Sequence, residues 1–485
     1  MKPQKILAFL SIILLIIISL AVIFPENGIH LNENLTLKFH WSYKQLFKDD
    51  IKYADITNII EENQQLILQD SVLLTDKIVK STTDTVRANT TKLKKHIQHI
   101  EYPSGDTTIL LPFFKKLDRA NKKRVRILHY GDSQIEGDRI TGYLRNKFQR
   151  RFGGSGPGLM PAIPARAESA SIVHTASKNW HSYSAYYKKD TILPHREFGV
   201  EGSFARYTDY FTDSSHINSE IKQAWIEFRR SGMAYSSVNK FTRCRIFYSH
   251  YNKSGIVKGY VNDSLVWFEE PNTTKEIKTI NWSFTKAPKN FRIEFEGVES
   301  PDIYGISLDA KHGVAVDNLP FRGSSGTEFS KINYNHYKQM ANYLNSGLII
   351  IEFGVNVVPY QTKSYSFYKR ALIRELNYLK RVFNNIPILV IGVSDMSEKK
   401  GNYYESYPNI EKILEAQRLA AMNTNCAFWD LYHAMGGKNS MPRWVFAEPS
   451  LARKDFTHFN RKGGHIVAQM LFNALMAEYS VYSIK

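Results

Sequence analysis

Between residues 111 and 485, short unbroken apolar runs alternate with longer stretches of helical periodicity. The runs at 125–130, 314–318, 348–353, 388–393 and 426–431 are rich in Val, Ile and Leu. Such runs suit strands covered on both faces. Stretches 135–152, 328–345, 364–383, 410–423 and 461–479 carry apolar residues at helix spacing. This alternation predicts a three-layer α/β/α sandwich around a parallel sheet. In such sheets ligands gather beyond the carboxyl ends of the strands.

Residues 161–311 break that rhythm. Shorter alternating segments at 224–228, 243–250, 255–261, 265–269 and 291–295 predict an inserted β-sandwich, with Asn262-Asp263 as a hairpin turn. The α/β domain is thereby split into 111–160 and 312–485. Positions 6–24 carry no charge, Lys2 and Lys5 precede them and Glu26 follows. At ~1.5 Å per residue the run is long enough to cross a bilayer core. It predicts a single-pass anchor over 1–25, N-terminus cytoplasmic and the rest exported. A cleaved signal peptide, giving a secreted chain, is the alternative; the length of the run and the lack of a small-x-small site before Pro25 favour the anchor. Residues 26–110 read as a polar spacer, helical over 59–79 and solvated at 81–85 and 89–91.

Composition changes this picture little. The net charge of +18 over 485 residues would suggest nucleic acid for a cytosolic protein. Behind an export signal it suits anionic envelope polymers or a membrane surface, or serves solubility alone, and no nucleic-acid partner is expected. Cys244 and Cys426 are too few for a disulfide framework and read as small buried apolar residues.

Four segments carry candidate chemistry, each at a strand or helix boundary. Tyr130-Gly131-Asp132-Ser133-Gln134 follows the first apolar run; Arg322-Gly323-Ser324-Ser325-Gly326 follows the second. Gly354-Val355-Asn356 follows the third, and Asp455-Phe456-Thr457-His458 precedes the last helix. A serine hydroxyl needs a base to take its proton, and an Asp three residues before a His can orient that base. The structural alternatives are a helix cap for Asp455, a surface role for His458 and ordinary turn chemistry for Gly323.

Together these segments resemble the blocks of the SGNH (GDSL) hydrolases, with Gln134 where the motif name has leucine. The resemblance covers roughly 120–160 and 312–478. It implies a flavodoxin-like sandwich and a serine esterase in which Ser133, His458 and Asp455 form a triad. Ser133, Gly323 and Asn356 would supply the oxyanion donors, with Asp132 and Gly354 in support and Gly326 as the alternative glycine. The position of the β insertion is similar to that in peptidoglycan O-acetylesterases, whose insert resembles a carbohydrate-binding module. An envelope carbohydrate O-acetylesterase is therefore expected, peptidoglycan being the first substrate to consider. Alternatives are an O-acetyltransferase supplied by a membrane-bound O-acyltransferase, and a non-catalytic glycan-binding protein.

Other features suggest less. The glycine-rich run 153–158 lacks Gly-Lys-Ser/Thr, which argues against nucleotide. No Cys/His cluster has metal-ligand spacing, so neither metal nor cofactor is expected. His96 and His99 read as surface residues on a basic stretch. Trp180, Tyr183, Tyr186 and Tyr187 read as core or as a sugar platform, and Asp395 as a loop cap or a cleft residue.

Overall fold

The computed structural model describes residues 3–23, 29–32, 35–37, 52–65, 97–165, 167–186, 193–210, 220–253 and 255–484. Contacts divide the chain into Met1–Tyr53 with Gly401–Tyr403, and Ala54–Lys400 with Tyr404–Lys485. In the first unit Pro3–Ile23 is a helix of 21 residues, and Ile29–Asn32 pairs with Leu35–Leu37. Its side chains are described over 4–20, and all of those are exposed. Among the described residues no helix is long and apolar enough to cross a membrane. Residues 81–91, His96 and Tyr187 lie outside the described residues, and of the helix expected over 59–79 only residues to 65 are described, as part of a helix over 57–65.

In the second unit five strands form a parallel sheet: β1 (Arg124–Gly131), β2 (Gly313–Pro320), β3 (Ser346–Glu352), β4 (Ile388–Ile391) and β5 (Ala427–Trp429). Their order is β2-β1-β3-β4-β5, and Ile100–Glu101, from the stretch read as spacer, adds an antiparallel edge beside β5. This is the doubly wound, flavodoxin-like order, whose crevice opens between β1 and β3.

The flanking helices are α1 (Thr141–Phe152), α2 (Tyr334–Leu344), α3 (Ser366–Val382), α4 (Ile410–Asn423) and α5 (Arg461–Ile484). Side chains alternate across a strand. Leu128, Tyr130, Ile349, Ile351 and Val390 therefore join the core with α2, α3 and α4. Val125, Ile127, Leu348, Ile350 and Leu389 join the core with α1 and α5. Each fully buried aliphatic side chain contributes roughly 1.5–3 kcal/mol, so the unbroken runs hold three layers together. Two helices start later than periodicity predicts. Ahead of α1, Gly137 and Asp138 take φ of +68° and +63°, which ends a short 3₁₀ turn. At α2 the Asn333 side chain caps the helix, accepting the His336 N–H at 3.1 Å.

Among the described residues the inserted segment forms two antiparallel sheets, one of which Gly158–Met160 joins from the end of the first α/β stretch. Ile226, Phe228, Ile246, Trp282, Phe291, Ile293 and Ile306 fill a common core. Asn262 and Asp263 take φ of +47° and +68°, the pattern of a type I′ hairpin turn. Strand Asp302–Asp309 escapes the sequence pattern because its ends are acidic and a glycine interrupts it, yet every residue in it is buried. Its last carboxylate, Asp309, meets the parallel sheet. Arg126 on β1, fully buried, donates to Asp317 at 2.5 and 2.6 Å, to Ser307 Oγ at 2.9 Å, and to Asp309. Arg124 donates to Asp309 at 2.5 Å. The glycine-rich run 153–158 packs its backbone against Val314 and Leu308 at this same seam.

Candidate active site

β1 stops at Gly131, and the chain turns sharply. The Asp132 N–H donates to the Glu352 carbonyl at the end of β3 (3.2 Å), and Asp132 Oδ1 accepts the Gln134 N–H at 2.9 Å. Half-buried Ser133 is held at the crest of this turn. Its Oγ lies 2.7 Å from His458 Nε2. On the other side of the ring, Nδ1 lies 2.9 Å from Asp455 Oδ2. A carboxylate only accepts, so Nδ1 carries the proton and Nε2 is left to accept from the serine hydroxyl.

The spacing of Asp455 and His458 has a local cause. Asp455 Oδ1 accepts the N–H groups of Thr457 (3.0 Å) and His458 (2.9 Å), closing a turn that swings the imidazole over the carboxylate. Partial burial works to raise the Asp455 carboxyl, but the His458 N–H and ring, together with the Thr457 N–H, hold it below the ordinary carboxylate range. It stays ionised, as the imidazolium that forms when serine loses its proton requires.

Gln134, to which the sequence reading gave no role, fastens the two loops together. Its Nε2 donates to the Thr457 carbonyl at 2.7 Å and to Ser394 Oγ at 3.2 Å, while its Oε1 accepts the Phe459 N–H at 3.2 Å. Both neighbours of His458 are thus held by the residue after Ser133. Arg139 adds donors to the carbonyls of Ser133 (3.1 Å) and Gln134 (3.0 Å). The sole trace in the sequence is an amide where the resembling motif has leucine, since leucine cannot make these bonds.

The other sequence-chosen residues lie in two loops joined by a hydrogen bond. Asn356 Nδ2 donates to the Ser324 carbonyl at 2.9 Å, leaving its second N–H for another acceptor. Gly323 has φ of +78°, and a Cβ there would stand in open space. Among the described residues its N–H takes no hydrogen-bond partner, whereas the Gly326 N–H already donates to Ser324 Oγ at 2.9 Å. Gly354 has φ of +137°, and a Cβ would come within 2.8 Å of Val393 and 2.9 Å of Gln417, so a side chain is excluded. Asp132 differs from Asp455. Burial pushes its carboxyl up to about 7; the Gln134 N–H opposes this and Glu352 adds to it.

Asp395 is buried and accepts from Ser406 Oγ (2.6 Å) and the Met441 N–H (2.7 Å), the role of a loop cap. Trp180 packs in the core of the insertion against Tyr207 and Phe295. Tyr183 and Tyr186 are half-buried, stacked on Phe204 and Phe321 respectively.

No protein-family model matches the chain, and no curated protein does. Among solved structures, one described as a peptidoglycan O-acetylesterase aligns over 76% of this chain and 96% of its own, with 21% identity and a TM-score of 0.61. An acetyl xylan esterase covers 33% of this chain and 81% of its own (17% identity, TM-score 0.26). A putative GDSL-like lipase from Parabacteroides merdae covers 33% and 72% (15% identity, TM-score 0.26). At these identities the likeness concerns architecture, and it rests on the first of the three. The chain shares the fold of that first structure over most of its length.

Proposed function

We propose that this chain is a serine esterase that removes O-acetyl groups from an envelope carbohydrate, with peptidoglycan as the substrate to test first. The observation that carries the reading is the unbroken relay Ser133 Oγ–His458 Nε2–His458 Nδ1–Asp455 Oδ2, at 2.7 and 2.9 Å. Ser133 Oγ attacks the acetyl carbonyl as its proton passes to His458. The tetrahedral intermediate collapses when His458 returns that proton to the sugar oxygen, leaving an acetyl-enzyme. Water, deprotonated by His458, then releases acetate and frees Ser133. The developing oxyanion is met by the backbone N–H groups of Ser133 and Gly323 and by the free N–H of Asn356. Each such donor is worth about 10²–10³ in rate.

The peptidoglycan assignment is supported by the fold shared with a structure described as a peptidoglycan O-acetylesterase, over nearly all of that chain. An exported location is proposed from the charge-free run at 6–24 behind Lys2 and Lys5, and fractionation of cells expressing the tagged chain tests it. The enzymatic reading is tested with p-nitrophenyl acetate and O-acetylated peptidoglycan. Wild type releases acetate and Ser133→Ala does not; undiminished turnover by the variant refutes the mechanism. Net gain of acetyl on an oligosaccharide, measured by mass spectrometry, would instead identify a transferase.

A further inference from the structure

Outside the chemistry just described, five titratable side chains from distant parts of the sequence meet where the insertion packs on α2. His195 and Glu197 lie on an irregular segment, His250 follows strand Arg243–Ser249, Asp302 opens strand Asp302–Asp309, and His336 sits in the first turn of α2. Part of this cluster is fully engaged. Asp302 accepts from Arg206 at 2.7 Å and Tyr210 at 2.6 Å, with His195 Nε2 at 3.1 Å. His195 Nδ1 accepts the Glu197 N–H at 3.2 Å.

In the other part His336 is left short of partners. His336 is 4% exposed, and its Nε2 has no hydrogen-bond partner. Its Nδ1 stands 3.6 Å from Glu197 Oε2, too far for a hydrogen bond. The same carboxylate oxygen lies 2.5 Å from His250 Nε2. One donor atom from each of Glu197, His250 and His336 falls within 4.8 Å of the other two. Two nitrogens and an oxygen bound at ~2.0–2.1 Å around a tetrahedral ion sit about 3.3 Å apart; the 3.6 Å gap is near that spacing, and the direct His250–Glu197 bond at 2.5 Å would open to admit the ion.

We propose that Glu197, His250 and His336 form a binding site for a divalent ion of the zinc class, with water completing the shell. Two imidazoles and one carboxylate are the borderline-soft donor set such ions prefer. The ion ties the 193–199 segment and the insertion to α2, engaging the His336 Nδ1 that Glu197 stands too far away to bond directly.

The test uses the full-length chain stripped with EDTA and titrated with Zn²⁺ against a chromophoric chelator. One equivalent per chain is expected, with Co²⁺ giving the visible bands of a four-coordinate ion. Glu197→Gln and His336→Asn are expected to lose that equivalent while keeping the wild-type far-UV spectrum, and Ser133→Ala to retain it. If His336→Asn does not fold, the part-exposed Glu197→Gln variant decides. Absence of uptake by wild type at micromolar Zn²⁺, or an equivalent that persists in Glu197→Gln, overturns the proposal and leaves a hydrogen-bonded network. Because the readout is metal uptake, its failure is independent of esterase activity.

Discussion

Two Asp-x-x-His segments in this chain fold alike and end differently. In Asp455–His458, the aspartate accepts the histidine N–H at 2.9 Å and faces its Nδ1 at 2.9 Å. In Asp430–His433, just after β5, the same pair of bonds measures 2.9 and 2.7 Å. The carboxylates differ in company. Asp430 is buried and also holds Arg418 at 2.6 Å, while the Asp455 side chain is 45% exposed. The rings differ more. The His433 side chain is 57% exposed, with no hydroxyl at its Nε2 among the described hydrogen bonds; His458 Nε2 meets Ser133. Where the Asp-x-x-His segment closes a turn it makes an oriented imidazole, and the group facing its far nitrogen decides whether that imidazole has chemistry to do.

The comparison breaks most directly at the serine. Ser133→Ala is expected to lower kcat on p-nitrophenyl acetate by about 10⁴–10⁶-fold, whereas His433→Ala leaves it unchanged. Equal losses in both variants would erase the distinction. Next comes the orienting carboxylate. Asp455→Asn should cost about 10⁴-fold in kcat through the wrong tautomer. Asp430→Asn should leave kcat intact and cost roughly 1–3 kcal/mol in denaturant unfolding, because Arg418 loses a charged acceptor.

Asp132 sharpens the contrast between carboxylates by its pH dependence. Its folded value near 7 lies above that of an unfolded aspartate, so the native state holds a proton that the unfolded state has lost. Its contribution to stability is therefore complete below about pH 4 and disappears as pH rises to about 7, a change of up to about 4 kcal/mol. Unfolding curves of Asp132→Asn across that window should lack this component. Asn356→Ala should lower kcat by about 10²–10³-fold with intact binding. The smallest effect is expected for Gln134→Leu, up to about 10²-fold in kcat with KM nearly unchanged, since only the placement of His458 suffers. A Gln134→Leu enzyme with wild-type kcat would remove Gln134 from the positioning of the histidine.

What the sequence revealed follows from the range of each interaction. The five sheet strands are legible because burial on both faces leaves unbroken runs, and α4 spans 410–423 as its periodicity predicts. The Asp455–His458 pair is legible because its bonds close within one turn. Gln134 is not, because its partners lie 323 and 325 residues away. The Glu197, His250 and His336 cluster is hidden for the same reason, since spacing rules recognise ligands that share an element. Strand Asp302–Asp309 is hidden because its buried carboxylates look like surface residues until Arg124, Arg126 and Arg206 are seen against them.

Those arginines bear on how such a molecule can be dissected. Cutting out the inserted sheets would strip Arg126 of Asp309, leaving Asp317 as its one carboxylate partner, and would deprive Arg124 of its acceptor. Breaking a buried ion network by removing one carboxylate, and uncovering the surface packed around it, draws on the few kcal/mol that keep a domain folded. The insertion is therefore no detachable accessory: a trimmed α/β half would carry an arginine whose carboxylate left with the missing part.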